Sequence, residues 1–208
     1  MTEAEAIAAL DVPRETMVRL EAFSTSLREA NERQNLVSRA SLESLWARHI
    51  YDSAQLLRFA PESAETWLDL GTGAGFPGLI AATLHPARIT LVEARKLRVE
   101  FLRHAAEVLG VAGKVDILCS KAEAVVARPF DVISARAFAP LDKLLSLGSR
   151  FSRPGTIWIL PKGRNAKSEL EAARRSWQGE FRIEPSLTDA EAGIVVAQGV
   201  SPRSKGKR

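Results

Sequence analysis

A glycine-rich segment, Gly71 to Gly75, is the part of the sequence best suited to hold a ligand through its main chain. It follows the predicted strand Thr66–Leu70 and precedes a predicted helix. Glycines allow a tight turn and leave the backbone open to a ligand. Glu93 ends the next apolar run, twenty residues after Gly73, and its carboxylate can accept hydrogen bonds from a ribose diol. These spacings predict a ligand that contains a nucleoside.

The glycine spacing alone leaves the identity of this ligand open. The glycines run G-x-G-x-G, whereas a dinucleotide-binding turn has its third glycine where this chain has Phe76, so NAD remains an alternative. A second signal follows the third predicted strand. There, Ala122 and Glu123 supply backbone amides and a carboxylate that suit the amine and ring nitrogen of adenine. Together with Glu93, this segment favours an adenosine-containing ligand.

The elements that must position these residues alternate along the chain from about residue 66 onward. Predicted strands are Thr66–Leu70, Ile89–Glu93, Val115–Cys119, Phe130–Ser134, Thr156–Leu160, Phe181–Ile183 and Ile194–Ala197. Predicted helices are Pro77–Thr83, Leu97–Leu109, Leu141–Phe151 and Ala166–Trp177. Strands that alternate with helices predict an α/β fold with a doubly wound, mostly parallel sheet covered on both faces.

Residues 1–60 have a helical pattern and are predicted to cap the α/β domain of residues 61–200. One helix is expected after Pro13, and a second from Ser41, a candidate N-cap, to Leu57. Residues 201–208 are predicted to form a basic, disordered tail. This tail holds four of the 29 basic residues, which leaves 25 basic against 25 acidic side chains elsewhere. The net charge of +4 is therefore weak evidence for nucleic-acid binding.

Composition excludes several classes of protein. With 46% hydrophobic and 26% charged residues among 208, the chain is neither a disordered protein nor a disulfide scaffold. Its one cysteine, Cys119, is predicted to be a buried strand residue in a reducing compartment, and no metal site is expected. The sequence contains no membrane-helix stretch, and its acidic start lacks a signal-peptide core. We expect a cytoplasmic protein and, without an exposed apolar stripe, a monomer.

The glycine turn belongs to a wider set of motifs. They are Asn35–Arg39, Arg48–Ser53, Asp69–Gly78, Ser134–Ala139 and Leu160–Gly163. Asp69–Gly78 resembles the first motif of class I S-adenosylmethionine-dependent methyltransferases. The whole set, which spans about residues 18–200, resembles the RsmG (GidB) family of bacterial small-subunit ribosomal RNA methyltransferases, which modify N7 of a guanosine. Minor departures from the family pattern are Ala135 and Pro161.

This resemblance implies a Rossmann-like, class I methyltransferase fold with seven strands and S-adenosylmethionine as the cofactor. It implies 16S ribosomal RNA as the substrate, either free or in the assembled small subunit. The matched cofactor-binding positions are Gly71, Phe76, Ala122, Glu123 and Arg136, and the candidate cofactor-binding residues also include Asp69, Gly73, Gly75 and Glu93. Among these, Glu93 is expected to contact the ribose.

The loop after the fourth predicted strand suits transfer to a purine nitrogen. Guanine N7 has a free lone pair and loses no proton, so positioning of the reactants can replace a catalytic base. Arg136 can donate a fork of hydrogen bonds to O6 and N7 or to a phosphate. Phe138 could stack on a base, although core packing is the simpler role for it. Transfer to a pyrimidine C5 needs a covalent cysteine, and Cys119 is predicted to lie within a strand.

Arg136 and Lys162 are the candidate catalytic residues. The candidate RNA-binding residues are Asn35, Arg39, His49 and Arg164. Lys162 and Arg164 belong to an acid-free basic run, residues 150–167, and are expected at the cofactor edge of the sheet, where they would contact phosphates. Each of these functional roles has a structural alternative. The basic run would be the solvent-exposed start of a helix, Arg136 would form a surface ion pair, and His49 would have a structural role.

Three other functions remain open from the residues alone. A small-molecule methyltransferase would use the same sheet with a different segment covering the site. The basic run and the basic tail count against this function. A binding module without turnover would not need the intact glycine turn and Glu93. An NAD-dependent oxidoreductase would need a hydride-handling histidine or a Tyr–Lys pair, and no such pattern is apparent.

Overall fold

The computed structural model describes residues 1–203, and its centre is one seven-stranded sheet. The strands are β1 (Thr66–Leu70), β2 (Arg88–Glu93), β3 (Val115–Cys119), β4 (Val132–Ser134), β5 (Ile157–Lys162), β6 (Trp177–Pro185) and β7 (Gly193–Pro202). Their order is β3-β2-β1-β4-β5-β7-β6. Strands β1 to β5 are parallel, whereas β7 is antiparallel to both β5 and β6. The predicted α/β fold with a mostly parallel sheet is confirmed.

Helices cover both faces of this sheet. They are α1 (Glu3–Ala9), α2 (Arg14–Asn31), α3 (Arg39–Glu43), α4 (Asp52–Ala54), α5 (Gly78–Leu84), α6 (Lys96–Val108), α7 (Leu141–Gly148) and α8 (Ala166–Ala173). A π-helical segment, Trp46–Tyr51, leads into α4, and 3-10 segments occupy Gln55–Phe59, Ala112–Lys114, Ala122–Ala124 and Ser149–Phe151. The predicted N-terminal helical region is present.

Alternation along β1 divides the apolar core between the two faces. Trp67 belongs to one cluster, which also contains Leu20 and Phe23 of α2, whereas Leu68 and Leu70 belong to a second cluster beneath α7 and α8. Both faces of β1 are buried, as expected for a central parallel strand. The N-terminal helices therefore share a continuous core with one face of the sheet.

The second N-terminal helix differs from the prediction of one helix that starts at Ser41. Ser38 is the N-cap, and its hydroxyl accepts a hydrogen bond from the Ser41 amide. The first helical segment, α3, ends at Glu43, and a second helical segment, the π-helical one, begins at Trp46. The carboxylate of Glu3, in α1, accepts hydrogen bonds from the free amides of Trp46 (3.1 Å) and Ala47 (2.8 Å). Glu3, which is distant in sequence, thus stabilises the first turn of the second helical segment.

Two further predictions are wrong in detail. Strand β7 runs to Pro202, so the predicted boundary of a disordered tail at residue 201 lies inside a strand; residues 204–208 lie outside the described part of the chain. Cys119 is exposed rather than buried, because it ends β3, and β3 is an edge strand with partly exposed side chains. Within residues 1–203, no helix is both long enough and apolar enough to span a bilayer.

Candidate active site

The glycine turn after β1 depends on backbone angles that favour glycine. Gly71, Gly73 and Gly75 have φ angles of +67°, +60° and +97°. The turn is tied to the neighbouring strand, since the amides of Gly71 and Thr72 donate to the Val92 carbonyl at 2.9 and 3.1 Å. A Cβ added to Gly73 would meet only the Arg98 guanidinium (3.5 Å) and the turn's own backbone (3.9 Å). The main chain at Gly73 is therefore accessible to a ligand.

Asp69, a residue of β1, stabilises this turn from the buried side. It is fully buried, and its Oδ2 accepts a hydrogen bond from the Gly78 amide (3.0 Å), at the start of α5. Its Oδ1 accepts one from the Ser134 hydroxyl (2.7 Å), which in turn accepts one from the Trp67 indole. Burial raises the pKa of Asp69. Because Asp69 has no exposed surface, it can influence a bound ligand only through the turn and the helix that it fixes.

Glu93 faces the turn, as its position at the end of β2 predicts. Its Oε2 accepts a hydrogen bond from the Gly73 amide (3.2 Å), and its Oε1 accepts one from the Arg95 amide (2.9 Å). The Arg98 guanidinium lies 3.8 Å from Oε2. The structure thus brings together an acid and a glycine twenty residues apart in sequence. Parallel pairing of β1 with β2 explains this, because it aligns their carboxyl ends.

The segment after β3 reaches the same edge of the sheet. The Ser120 amide donates to the Glu93 carbonyl (3.1 Å), and the chain then enters the 3-10 segment Ala122–Ala124. Ala122 is buried, whereas the side chain of Glu123 is exposed. Ser120 therefore lies beside Glu93 at the carboxyl edge, and Ala122 and Glu123 follow it directly in the chain.

Arg136 is the centre of a cluster that joins the sheet to the N-terminal helices. Its Nη1 donates to the Arg48 carbonyl (3.0 Å) and lies 3.4 Å from the Asp52 carboxylate, and its Nη2 lies 2.7 Å from His49 Nδ1. The guanidinium also lies over the Phe76 ring, 5.1 Å from its centroid. Burial lowers the pKa of Arg136, and the charge of Asp52 opposes this shift. The surface ion pair considered from sequence is thus a largely buried network.

His49 packs behind Arg136 rather than on an open RNA-facing surface. Its ring stacks on Phe76, with the centroids 4.9 Å apart. An arginine can only donate hydrogen bonds, so His49 Nδ1 must be the acceptor and Nε2 must carry the proton. Burial, followed by the charges of Arg136 and Arg48, lowers the pKa of His49 to about 3. His49 is therefore neutral at physiological pH. Its contacts indicate a structural role for this residue and not the direct contact with an RNA phosphate that the sequence also predicts.

This environment predicts a pH dependence of stability. Since the folded protein resists protonation of His49 and the unfolded chain does not, the free energy of unfolding should fall as the pH drops from about 6.5 towards 3. Between pH 7 and pH 5, the free energy of unfolding of His49→Gln should fall by about 1–2 kcal/mol less than that of the unsubstituted protein. Urea unfolding of both proteins at the two pH values measures the difference. The contributions of other titratable groups are the same in both proteins and cancel in this comparison. An equal decrease in the free energy of unfolding of the two proteins would contradict the prediction.

Lys162 lies at the carboxyl edge but is already engaged. Its ammonium donates to the Ala139 carbonyl (2.7 Å) and lies 3.0 Å from the Glu169 carboxylate, and its side chain is only 9% exposed. Glu169 also accepts a hydrogen bond from the Leu141 amide (2.8 Å). Lys162 thus anchors the loop after β4 to α8, which indicates a positioning role more than direct catalysis.

A cleft of about 900 Å³ lies beside this loop. The π-helical segment, the loop after β4, the end of β5 and the connection between β6 and β7 all contribute to its walls. Among its polar lining groups are Asp52, Arg136, Glu169 and Thr188. Asp52 accepts a hydrogen bond from the Thr188 hydroxyl (2.7 Å), so the N-terminal region holds the β6–β7 connection in place. Glu169 and Thr188 were not predicted, because only the tertiary structure brings them to this cleft.

The remaining candidate RNA-binding residues lie in two separate places. Asn35 and Arg39 line a second cavity, of about 700 Å³, with Arg98, whose guanidinium donates to the Asn35 carbonyl. Arg164 is 78% exposed and pairs with Glu191 at 3.2 Å. The basic run of residues 150–167 does not form one patch. Arg150 donates to the carbonyls of Glu123 and Val125, and Arg153 pairs with Asp131, so both have structural partners.

The strand order, the antiparallel β7 and the glycine turn together define the fold of class I methyltransferases. Solved structures with this fold include the O-methyltransferase from Bacillus cereus in complex with S-adenosylhomocysteine. It is 18% identical, with a TM-score of 0.57 over 84% of this chain and 90% of that chain. Another is the ribosomal protein L11 methylase from Lactobacillus delbrueckii subsp. bulgaricus, 18% identical, with a TM-score of 0.58 over 75% and 79% of the two chains.

Sequence relatives identify the family within this class. The GidB family, described as rRNA small subunit methyltransferase G, matches residues 16–193. The "Ribosomal RNA small subunit methyltransferase G" of Rhizorhabdus wittichii is 51% identical, covering 100% of this chain and 98% of the relative. That of Zymomonas mobilis is 47% identical, covering 99% and 97%. The chain belongs to the GidB family of ribosomal RNA small subunit methyltransferases, as the sequence motifs predict.

Proposed function

We propose that this protein transfers the methyl group of S-adenosylmethionine to N7 of a guanosine in 16S ribosomal RNA. The observation that carries the proposal is the contact between the Glu93 carboxylate and the Gly73 amide in an accessible turn at the carboxyl edge of the sheet. An acid and an open backbone in this arrangement suit a ribose and the chain attached to it. Membership of the GidB family supports the same activity and substrate.

The turn and its neighbours supply a site for the methyl donor. Glu93 accepts hydrogen bonds from the ribose hydroxyls, and Ala122 and Glu123 recognise the adenine through an amide and a carboxylate. Gly71, Gly73 and Gly75 allow the donor to approach the main chain, with Phe76 and Arg136 beside them. The donor supplies an activated methyl group, and these residues hold it in place.

The chemistry of the cleft agrees with a nucleophile that loses no proton. His49 is neutral, with Nδ1 occupied by Arg136, and the Lys162 ammonium is held by a carbonyl and a carboxylate. Neither group is available as a general base, and guanine N7 needs none. Methylation at N7 makes the purine cationic, and the cleft wall tolerates that charge because the carboxylates of Asp52 and Glu169 offset the charges of Arg136 and Lys162. Catalysis then consists mainly of positioning.

The finer features of the substrate and its setting belong to the same proposal. The RNA is presented in the small ribosomal subunit, and the enzyme acts as a monomer in the cytoplasm. Exposed large apolar side chains within residues 1–203 are dispersed among α1, α2, α6, β6 and the loops, which supports a monomer. The basic tail has no assigned role.

Arg164 provides a test of RNA contact at the edge of the cleft. Its exposed pair with Glu191 contributes little to stability, so Arg164→Ala should leave the unfolding curve unchanged. We expect the KM for small subunits to rise, and the slope of log KM against log salt concentration to decrease by about one. Arg175→Ala is the matched control, because Arg175 is exposed just after α8, at the opposite edge of the sheet. Equal salt slopes for Arg164→Ala and the unsubstituted protein would remove Arg164 from the interface.

The activity itself can be tested with a labelled methyl donor. The protein is incubated with the donor and with small ribosomal subunits from a strain that lacks the modification, and label in the RNA is the expected result. Label only in small metabolites would indicate a small-molecule methyltransferase, and no transfer would indicate a binding module. Calorimetry with S-adenosylhomocysteine and with NAD tests the cofactor separately, and tight binding of NAD would contradict the proposal.

A further inference from the structure

Phe138 lies between the glycine turn and the cleft. A Cβ added to Gly71 would stand 2.2 Å from Cδ2 of Phe138, so the ring covers the turn on the side where a side chain would be. The absence of a Cβ leaves that same side of a glycine open to a ligand. Phe138 also lines the cleft, and it is half-buried against the core cluster beneath α7 and α8. One ring therefore contacts both the donor-binding turn and the candidate substrate site.

The loop that carries Phe138 is fixed on both sides of the ring. Arg136 is bonded to the Arg48 carbonyl and to His49, and the Ala139 carbonyl accepts a hydrogen bond from Lys162. Between these anchors, Ala137 has a φ of +50° and is the one non-glycine residue within 1–203 with a positive φ. This backbone region is unfavourable for alanine. Ala137 and Phe138 therefore form a strained stretch between two fixed anchors, and a change of backbone angles at Ala137 would relieve that strain.

We propose that Phe138 occupies two positions during the reaction. Its ring covers Gly71 before the methyl donor binds, and it turns into the cleft when the donor occupies the turn, where it stacks on the target guanine. The inference rests on the proposed function and adds a residue that positions the base. The cleft has room for both the ring and a base, and Pro140, Pro161 and Ile194 give it apolar walls. Aromatic side chains are common stacking surfaces for unpaired bases.

This arrangement imposes an order of binding. The donor must displace the ring, so its apparent affinity is reduced by the fraction of protein in which Gly71 is uncovered. The base then finds its stacking surface only after the donor has bound. Removal of the ring should therefore strengthen donor binding and weaken RNA binding. A phenylalanine that served only the core would, when removed, weaken both or neither.

Calorimetry and steady-state kinetics separate these outcomes. We expect Phe138→Ala to bind S-adenosylhomocysteine at least about threefold more tightly than the unsubstituted protein. Its KM for small subunits should be at least about tenfold higher. Phe181→Ala is the matched control, because Phe181 is half-buried against the same core cluster but lies on β6, and both of its constants should be unchanged. Equal or weaker binding of S-adenosylhomocysteine by Phe138→Ala would overturn the proposal.

A second variant and a spectroscopic signal keep the test decisive if Phe138→Ala does not fold. Phe138→Leu still covers Gly71 but cannot stack, so its affinity for S-adenosylhomocysteine should be unchanged while its KM for subunits rises. A 4-fluorophenylalanine placed at position 138 alone should shift its ¹⁹F resonance when S-adenosylhomocysteine binds without RNA. An unshifted resonance in the saturated protein would overturn the inference. Failure of the unsubstituted protein to bind S-adenosylhomocysteine would instead contradict the proposed function.

Discussion

Replacement of Arg136 with alanine is expected to lower the rate of methyl transfer at least about tenfold while the protein stays folded. The guanidinium joins the loop after β4 to the Arg48 carbonyl and to His49, and it lies over Phe76 beside the glycine turn. Its removal therefore loosens the donor site and the cleft wall together. Asp52 keeps its hydrogen bonds from Gln55 and Thr188, so the N-terminal region should remain docked. Initial rates with saturating donor, together with circular dichroism, measure both effects.

Two further variants show whether the effect belongs to Arg136 itself. Arg136→Lys should not restore the rate, because one ammonium cannot reproduce a guanidinium that contacts a carbonyl, an imidazole and a carboxylate at once. Arg153→Ala is the control. It removes the partner of Asp131 next to the start of β4, at the far edge of the sheet, and should leave the rate unchanged. A normal rate for Arg136→Ala would exclude Arg136 from the site.

Replacement of Asp69 with alanine is expected to reduce methyl transfer about a hundredfold and the free energy of unfolding by about 3 kcal/mol. The substitution leaves the Gly78 amide and the Ser134 hydroxyl without their buried acceptor. Each unsatisfied group costs about 1–3 kcal/mol, and the start of α5 loses its connection to β1. The turn that holds the donor is then no longer fixed. Urea unfolding and calorimetry with S-adenosylhomocysteine test the two parts separately.

Asp69→Asn separates geometry from charge. The amide keeps one oxygen for the Gly78 amide and removes a buried carboxyl group whose pKa is raised by burial. We expect it to lose less stability than Asp69→Ala, because the Gly78 amide keeps its acceptor and only the Ser134 hydroxyl loses one. Donor affinity should likewise be closer to that of the unsubstituted protein than to that of Asp69→Ala. An Asp69→Ala protein with normal donor affinity would show that the turn does not depend on this carboxylate.

The part of the site at the carboxyl ends of β1 and β2 was predictable from the sequence. Strands buried on both faces form short apolar runs with clear limits, and the predicted bounds of β1 match the structure. A parallel sheet then brings the residues that follow neighbouring strands to one edge, which is why Gly73 and Glu93 meet. Local pattern and topology are sufficient for this part of the prediction.

The rest depends on contacts between distant parts of the chain. The apolar spacing after Ser41 suits one continuous helix, yet Glu3 stabilises a second start at Trp46. Strand β6 extends well beyond the predicted Phe181–Ile183, because an edge strand with mostly exposed side chains has no apolar pattern at its ends. The bonding of Lys162 to Ala139 and Glu169 likewise cannot be derived from a motif.

Identification of the methylated nucleoside is the most direct test of the proposed activity. Small ribosomal subunits that lack the modification are incubated with the protein and S-adenosylmethionine carrying a labelled methyl group, and the digested 16S RNA is separated and analysed by mass spectrometry. The label is expected in 7-methylguanosine. Label on a ring carbon, on an exocyclic amine or on a ribose oxygen would contradict the proposed activity, because transfer to those acceptors uses a base or a covalent nucleophile, and His49 and Lys162 in the cleft are both engaged by other groups.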